Sequence, residues 1–198
     1  MSILEHNYNL ALERSPDICE HIPTLKRYAS ECEHITEMGV RWVCSTWAFL
    51  IAKPKKMISY DIEGFSNPIR KEKIEEVLDL TKEYGIDYSF VEADVLKTEI
   101  EPTDLLFIDT FHTYNQLSQE LQLHADKVSK YIIFHDTVTF GQFDETPEST
   151  YVLSDKINLE DKSKTGLVNA INDFLSSEKG ESWEFEKIFT NKIGRAHV

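Results

Sequence analysis

Two short apolar runs in this chain end abruptly in acid and imidazole. Leu105-Leu106-Phe107-Ile108 runs into Asp109, with His112 just beyond; Tyr131-Ile132-Ile133-Phe134 runs into His135 and Asp136. Carboxylates hold hard divalent cations, and imidazole titrates near neutrality and can move a proton. These groups could ligate a metal, hold a polar ligand or transfer a proton. A second set lies earlier. Glu37, Gly39, Ser45 and Thr46 follow another apolar stretch, and Asp61 and Asp94 each follow one of their own. A glycine in a turn after a strand lets a ligand approach the backbone, and the helix start beyond it offers free N–H groups.

Continuous apolar runs of this length read as strands buried on both faces, as in a parallel sheet. In open α/β sheets the ligand sits outside the carboxyl ends of the strands. Asp109, His112, His135 and Asp136 should therefore converge on one rim. The pattern predicts strands over 35–39, 56–61, 87–91, 104–109 and 130–135. A helix is expected over 45–51. Another starts at Asn67-Pro68 and stops at a left-handed cap on Gly85. A third starts at a capping box of Thr113 and Gln116. Leu167, Val168, Ile171, Phe174 and Leu175 form a further helix face, and the alternation from Trp183 to Phe189 reads as an antiparallel-type strand.

Residues 1–30 read as a helical extension. The polar, acid-rich span 141–164 reads as a lid or loop insertion, since so long an excursion in a compact domain is usually functional or disordered. Strands and helices in this order predict one doubly wound, Rossmann-like, mostly parallel α/β/α domain over 1–192. The end, Ile193-Gly194-Arg195-Ala196-His197-Val198, is the translation of ATC GGA AGA GCA CAC GTC, a common sequencing-adapter read. Residues 193–198 are therefore expected to be a non-native tail, with the last strand truncated.

Bulk properties narrow the function classes. The chain has 198 residues, 35 acids against 21 Lys and Arg, and a net charge of −14. A nucleic-acid groove needs a basic footprint, and an anionic membrane surface needs the same. Neither partner is expected; a small-molecule substrate is. Cys19, Cys32 and Cys44 show no metal-ligand spacing and read as reduced thiols. With no basic, apolar start and no run of about 20 apolar residues, a cytoplasmic setting is expected.

Taken in order, Glu37, Gly39, Ser45-Thr46, Asp61, Ala93-Asp94, Phe107-Ile108-Asp109, His112, Tyr114 and Ile133-Phe134-His135-Asp136-Thr137 resemble a class I S-adenosylmethionine-dependent methyltransferase. The branch most resembled is that of cephalosporin hydroxylases and small O-methyltransferases, which carries an "FIDGDHSY" and an "HD" signature. The resemblance spans roughly residues 33–191. It implies methyl transfer from S-adenosylmethionine to a small-molecule acceptor, at an oxygen. The methionine end would lie on Gly39 with Glu37 and Ser45 nearby, the ribose on Asp61 and the adenine on Asp94. It also implies a divalent ion, Mg²⁺ or Mn²⁺, on Asp109, His135 and Asp136, with Asp109 and His112 as catalytic groups. From the residues alone those acids could equally cap helices or bind loop amides. Two departures stand out: Val43 replaces a second glycine, and Thr110-Phe111 replaces Gly-Asp. Val43 would crowd the methionine end. A non-catalytic nucleoside- or partner-binding protein on the same fold stays open. A dinucleotide oxidoreductase is disfavoured, because Arg41 and Val43 break the GxGxxG that a pyrophosphate needs.

Overall fold

A computed structural model describes residues 1–14, 18–146, 164–190 and 195–197. Helices α1 (Ile3–Arg14) and α2 (Ile22–Ala29) precede β1 (His34–Met38), α3 (Cys44–Leu50), β2 (Lys56–Asp61), α4 (Pro68–Tyr84), β3 (Asp87–Glu92) and β4 (Thr103–Ile108). Then follow α5 (Tyr114–His124), β5 (Val128–Phe134), α6 (Leu167–Leu175), β6 (Ile188–Thr190) and β7 (Arg195–His197). The strands form one sheet in the order β3-β2-β1-β4-β5-β7-β6. Strands β1 to β5 are parallel, and β7 runs antiparallel to both β5 and β6.

Alternation along each strand divides the core into two layers. Ile35, Met57, Leu105, Phe107 and Ile133 face one way and pack with Leu25, Phe49 and Ile74 from the helices. Met38, Ile58, Leu106, Ile108 and Ile132 face the other way, towards Leu117, Leu121, Ile171 and Phe174. This is the three-layer α/β/α arrangement that the sequence predicts. Among the described residues no helix is long and apolar enough to cross a membrane.

Local signals act as expected at α4. The Asn67 side chain accepts from the Ile69 and Arg70 backbone N–H groups, and Gly85 ends the helix at φ 67°. Two expectations need correction. The capping box at α5 is only half formed: Thr113 Oγ1 accepts from Gln116 N at 3.2 Å, but the Gln116 amide turns away to Glu120, 2.7 Å distant. Among the described residues the strand expected over 183–189 is confined to Ile188–Thr190, which pair with Arg195–His197 of β7. That partner comes from the segment read above as a tail, and it pairs through its backbone. Most of the expected lid, residues 147–163, lies outside the described residues.

Candidate active site

The chain reverses direction across the sheet between β1 and β4, and the crevice there is where open α/β sheets take ligands. Gly39 ends β1 at φ 87°, and a Cβ there would overlap the Asp109 carbonyl. Only glycine lets the β1 turn lie this close to β4. The Asp109 N–H also donates to the Met38 carbonyl at 2.8 Å, so the two turns are locked together.

Beyond Gly39 the turn keeps glycine-like geometry without glycine. Arg41 lies at φ 45° and Val43 at φ 57°. For a β-branched residue this is a strained conformation. Val43 is 3% exposed and belongs to the core that holds Trp47 and Phe49, and burial of its methyls offsets the strain. Asp61, at the end of β2, steadies the turn. Its Oδ2 accepts from Val40 N at 2.9 Å and Arg41 N at 3.0 Å. Its Oδ1 accepts from Glu63 N at 3.0 Å and meets Arg70 Nη1 at 3.4 Å.

Glu37 and Ser45, expected to face a cofactor, lie beneath this turn instead. Glu37 is fully buried. It accepts from Ser45 Oγ at 2.5 Å, Thr46 Oγ1 at 2.9 Å and Ser59 Oγ at 2.7 Å. Burial pushes its carboxyl up to about 7 despite these three donors. Both side chains face inward because the pleat sends Glu37 into the sheet interior, so they brace the turn and are turned away from its outer surface. Asp94 Oδ1 accepts from Leu96 N at 3.1 Å and Oδ2 lies 3.4 Å from Lys97 Nζ, with no hydrogen-bond partner to Oδ2 among the described residues.

The acid–imidazole groups do converge. His112 Nε2 lies 3.2 Å from Asp109 Oδ1 and 3.9 Å from Asp136 Oδ2. Asp109, His112 and Asp136 each offer one ligand atom, all within 4.8 Å of one another. Asp136 reaches this position from a turn at φ 51°, a conformation that Asp tolerates better than most residues. His135 takes a different place from the expected one. It is 3% exposed, its Nδ1 faces Asp109 Oδ1 at 3.2 Å, and its ring meets His21 edge to face at 5.4 Å between centroids. It supports Asp109 from below, and the metal-sized group has His112 in its stead.

Burial and neighbouring charges shift both Asp109 and His112. Burial opposes ionisation of Asp109, but His135 and His112 outweigh it and hold the carboxyl far below the usual range. Burial would also lower His112, yet hydrogen bonds to Asp109 and Glu145, with the charge of Asp136, push it up to about 10. The same acids would favour a cation on Nε2, which takes the place of the proton there.

Sequence reading missed Glu145. Its carboxylate meets His112 Nδ1 at 2.8 Å and accepts from His112 N at 3.2 Å, while Glu145 N donates to the His112 carbonyl at 2.8 Å. Phe140 stacks on the same ring at 4.8 Å. A carboxylate on one ring nitrogen, with the other aimed at further oxygen donors, is the usual orientation of a metal-binding histidine. Asp144, next to it, accepts from Tyr114 N and Gly166 N, both at 2.7 Å. The only signal for either residue was the density of acids in the 141–164 span.

Strand order, switch point and antiparallel β7 together make this the fold of the class I S-adenosylmethionine-dependent methyltransferases. In particular, the chain is similar to a Staphylococcus aureus caffeoyl-CoA O-methyltransferase-like protein, with TM-score 0.60 and 13% identity over 100% of this chain and 91% of that one. It is also similar to the Escherichia coli methyltransferase YhhF, at TM-score 0.56 and 10% identity over 94% and 87% of the two chains. The Bacillus subtilis m1A22 tRNA methyltransferase TrmK gives TM-score 0.57 and 13% identity, over 90% of this chain and 63% of TrmK. No protein-family model matches the sequence, and no curated protein matches it.

Proposed function

We propose that this chain transfers a methyl group from S-adenosylmethionine to an oxygen of a small-molecule acceptor, with a divalent ion held by Asp109, His112 and Asp136. The observation that carries this reading is the contact between the two halves of the rim. Gly39 packs on the Asp109 carbonyl, so a donor resting on the β1 turn would adjoin an acceptor resting on the acidic cluster. When bound, the sulfonium supplies an electrophilic methyl group, and the ion lowers the pKa of an acceptor hydroxyl.

The residues present suit both groups. Two carboxylates and one imidazole within 4.8 Å suit Mn²⁺, or Mg²⁺ with added waters. Glu145 sets the His112 ring so that Nε2 faces the two aspartates. Asp61 presents the acid that nucleoside-binding α/β domains place after the second strand. Methyl transfer is a single displacement, so positioning is the main task of the protein. The Glu37–Ser45–Thr46–Ser59 cluster braces the β1 turn from below, and His135 braces Asp109. The net charge of −14 favours a small acceptor over the tRNA substrate of TrmK.

Calorimetric titration tests this. S-adenosylhomocysteine should bind and NAD should not. Asp61→Ala should weaken the binding by about ten- to hundredfold, the effect of losing a charge-assisted contact. Binding of NAD in place of S-adenosylhomocysteine, or binding indifferent to Asp61→Ala in a folded variant, would overturn the assignment.

A further inference from the structure

Asp61 is already saturated. A carboxylate offers about four good acceptor directions, and the two oxygens here meet four donors: Val40 N, Arg41 N, Glu63 N and Arg70 Nη1. A ribose hydroxyl can bond there only if one of these leaves. The three backbone donors lie at 2.9–3.0 Å and hold the β1 and β2 turns. The Arg70 contact is the longest, at 3.4 Å.

Arg70 is also equipped to leave without losing its other partners. Its Nη1 donates to the Glu63 carbonyl at 3.1 Å, its Nη2 meets Glu63 Oε2 at 3.3 Å, and its guanidinium lies 5.9 Å from the centre of the Trp42 ring. A small shift towards Glu63 would free one acceptor position on Asp61. The side chain is only 13% exposed, and its Nε is buried with no hydrogen-bond partner among the described residues.

We propose that Arg70 is a specificity-determining latch, holding on Asp61 the position that a ribose hydroxyl takes, so that only a ligand bringing a competing hydroxyl opens it. This rests on the methyltransferase reading for the identity of the ligand. It makes Arg70 a residue that lowers affinity for the nucleoside while excluding ligands that lack the hydroxyl. Each ligand must displace one weak charge-assisted bond, which corresponds to about tenfold in affinity.

The test is calorimetric titration of S-adenosylhomocysteine into the wild type, Arg70→Met, Asp61→Asn and the double variant. Arg70→Met keeps an unbranched stem against Trp42 and removes every donor. It should bind about tenfold more tightly than the wild type, and the gain should vanish in the Asp61→Asn background. Equal or weaker binding by Arg70→Met, with the wild type still binding, would overturn the latch and leave the methyltransferase reading intact. No binding by either protein at millimolar ligand would overturn that reading, and the latch with it. A crystal structure of the wild type with S-adenosylhomocysteine gives a readout that needs no variant. The Arg70–Asp61 contact should be broken; its persistence alongside a bound ribose would contradict the proposal.

Discussion

At His112 one ring nitrogen faces Glu145 and the other faces Asp109 and Asp136, and this polarity decides what the residue can do. If Nε2 binds an ion, Glu145 fixes the tautomer and the ring angle. Glu145→Ala should then lower Mn²⁺ affinity by about 10- to 100-fold, read from the Mn²⁺-dependent rise in melting temperature. A rise equal to that of the wild type would remove Glu145 from the site. Glu37 gives a pH signature of its own. Its carboxyl is raised from the ordinary 4.5 to about 7 by burial, so the folded chain holds a proton that the unfolded chain releases. The stabilisation is fully present below about pH 4.5 and is lost as pH rises through 7. At about 1.4 kcal/mol per unit, the change is on the order of 3 kcal/mol. Relative to wild type, Glu37→Gln should therefore gain stability between pH 5 and pH 8 in urea melts; a constant difference across that range would show that Glu37 is ionised throughout. Asp109, His112 and Asp136 were legible in the sequence because each lies at or just past the end of an apolar run. Glu145 was not, because it lies 33 residues from His112, in the polar 141–164 span whose acids follow no helix or strand period. Glu37 and Ser45 were legible as neighbours of the turn, but the side of the sheet each faces depends on register, which the sequence leaves open.

At the scale of elements, turns carry most of the specificity. Asp144 accepts from the backbone N–H groups of Tyr114 and Gly166, at the starts of α5 and α6, and so joins two helix N-termini with one carboxylate. Asp144→Ala should cost about 1–3 kcal/mol, the range for losing one or two such caps. Chemical denaturation measures it, and a change below about 0.5 kcal/mol would mean that water replaces the carboxylate. The β1 turn makes the opposite prediction. Arg41 is exposed and adopts a left-handed conformation at φ 45°, so Arg41→Gly should stabilise by about 1 kcal/mol. A lower melting temperature would mean that contacts of the Arg41 side chain outweigh its backbone strain. The five parallel strands and the α4 caps were readable from apolar runs, Asn67, Pro68 and Gly85, because these signals act locally. Trp183–Phe189 misled because alternation shows that a strand can form, whereas its length depends on a partner elsewhere. The Gln116 side chain misled for a similar reason: Glu120, one turn later, competes for it.

At the scale of the molecule, the strand order puts the β1 turn and the β4 and β5 ends on one rim, and Gly39 lets the first touch the second. That order was legible as a class of fold, from strands alternating with amphipathic helices. The contact itself was not, since it depends on which strands are neighbours. The chain carries a net charge of −14, and the cluster of Asp109, His112 and Asp136 places acids where a cation would neutralise them. The proposed methyl transfer requires a nucleoside site and a cation site on either side of the Gly39–Asp109 contact. The most direct measurement is a crystal structure of the wild type soaked with S-adenosylhomocysteine and Mn²⁺, with anomalous scattering to locate the metal. The predicted result is a ribose on Asp61 and a manganese peak bounded by Asp109, His112 and Asp136. A nucleoside bound away from Asp61, or a manganese peak away from these three residues, would contradict it.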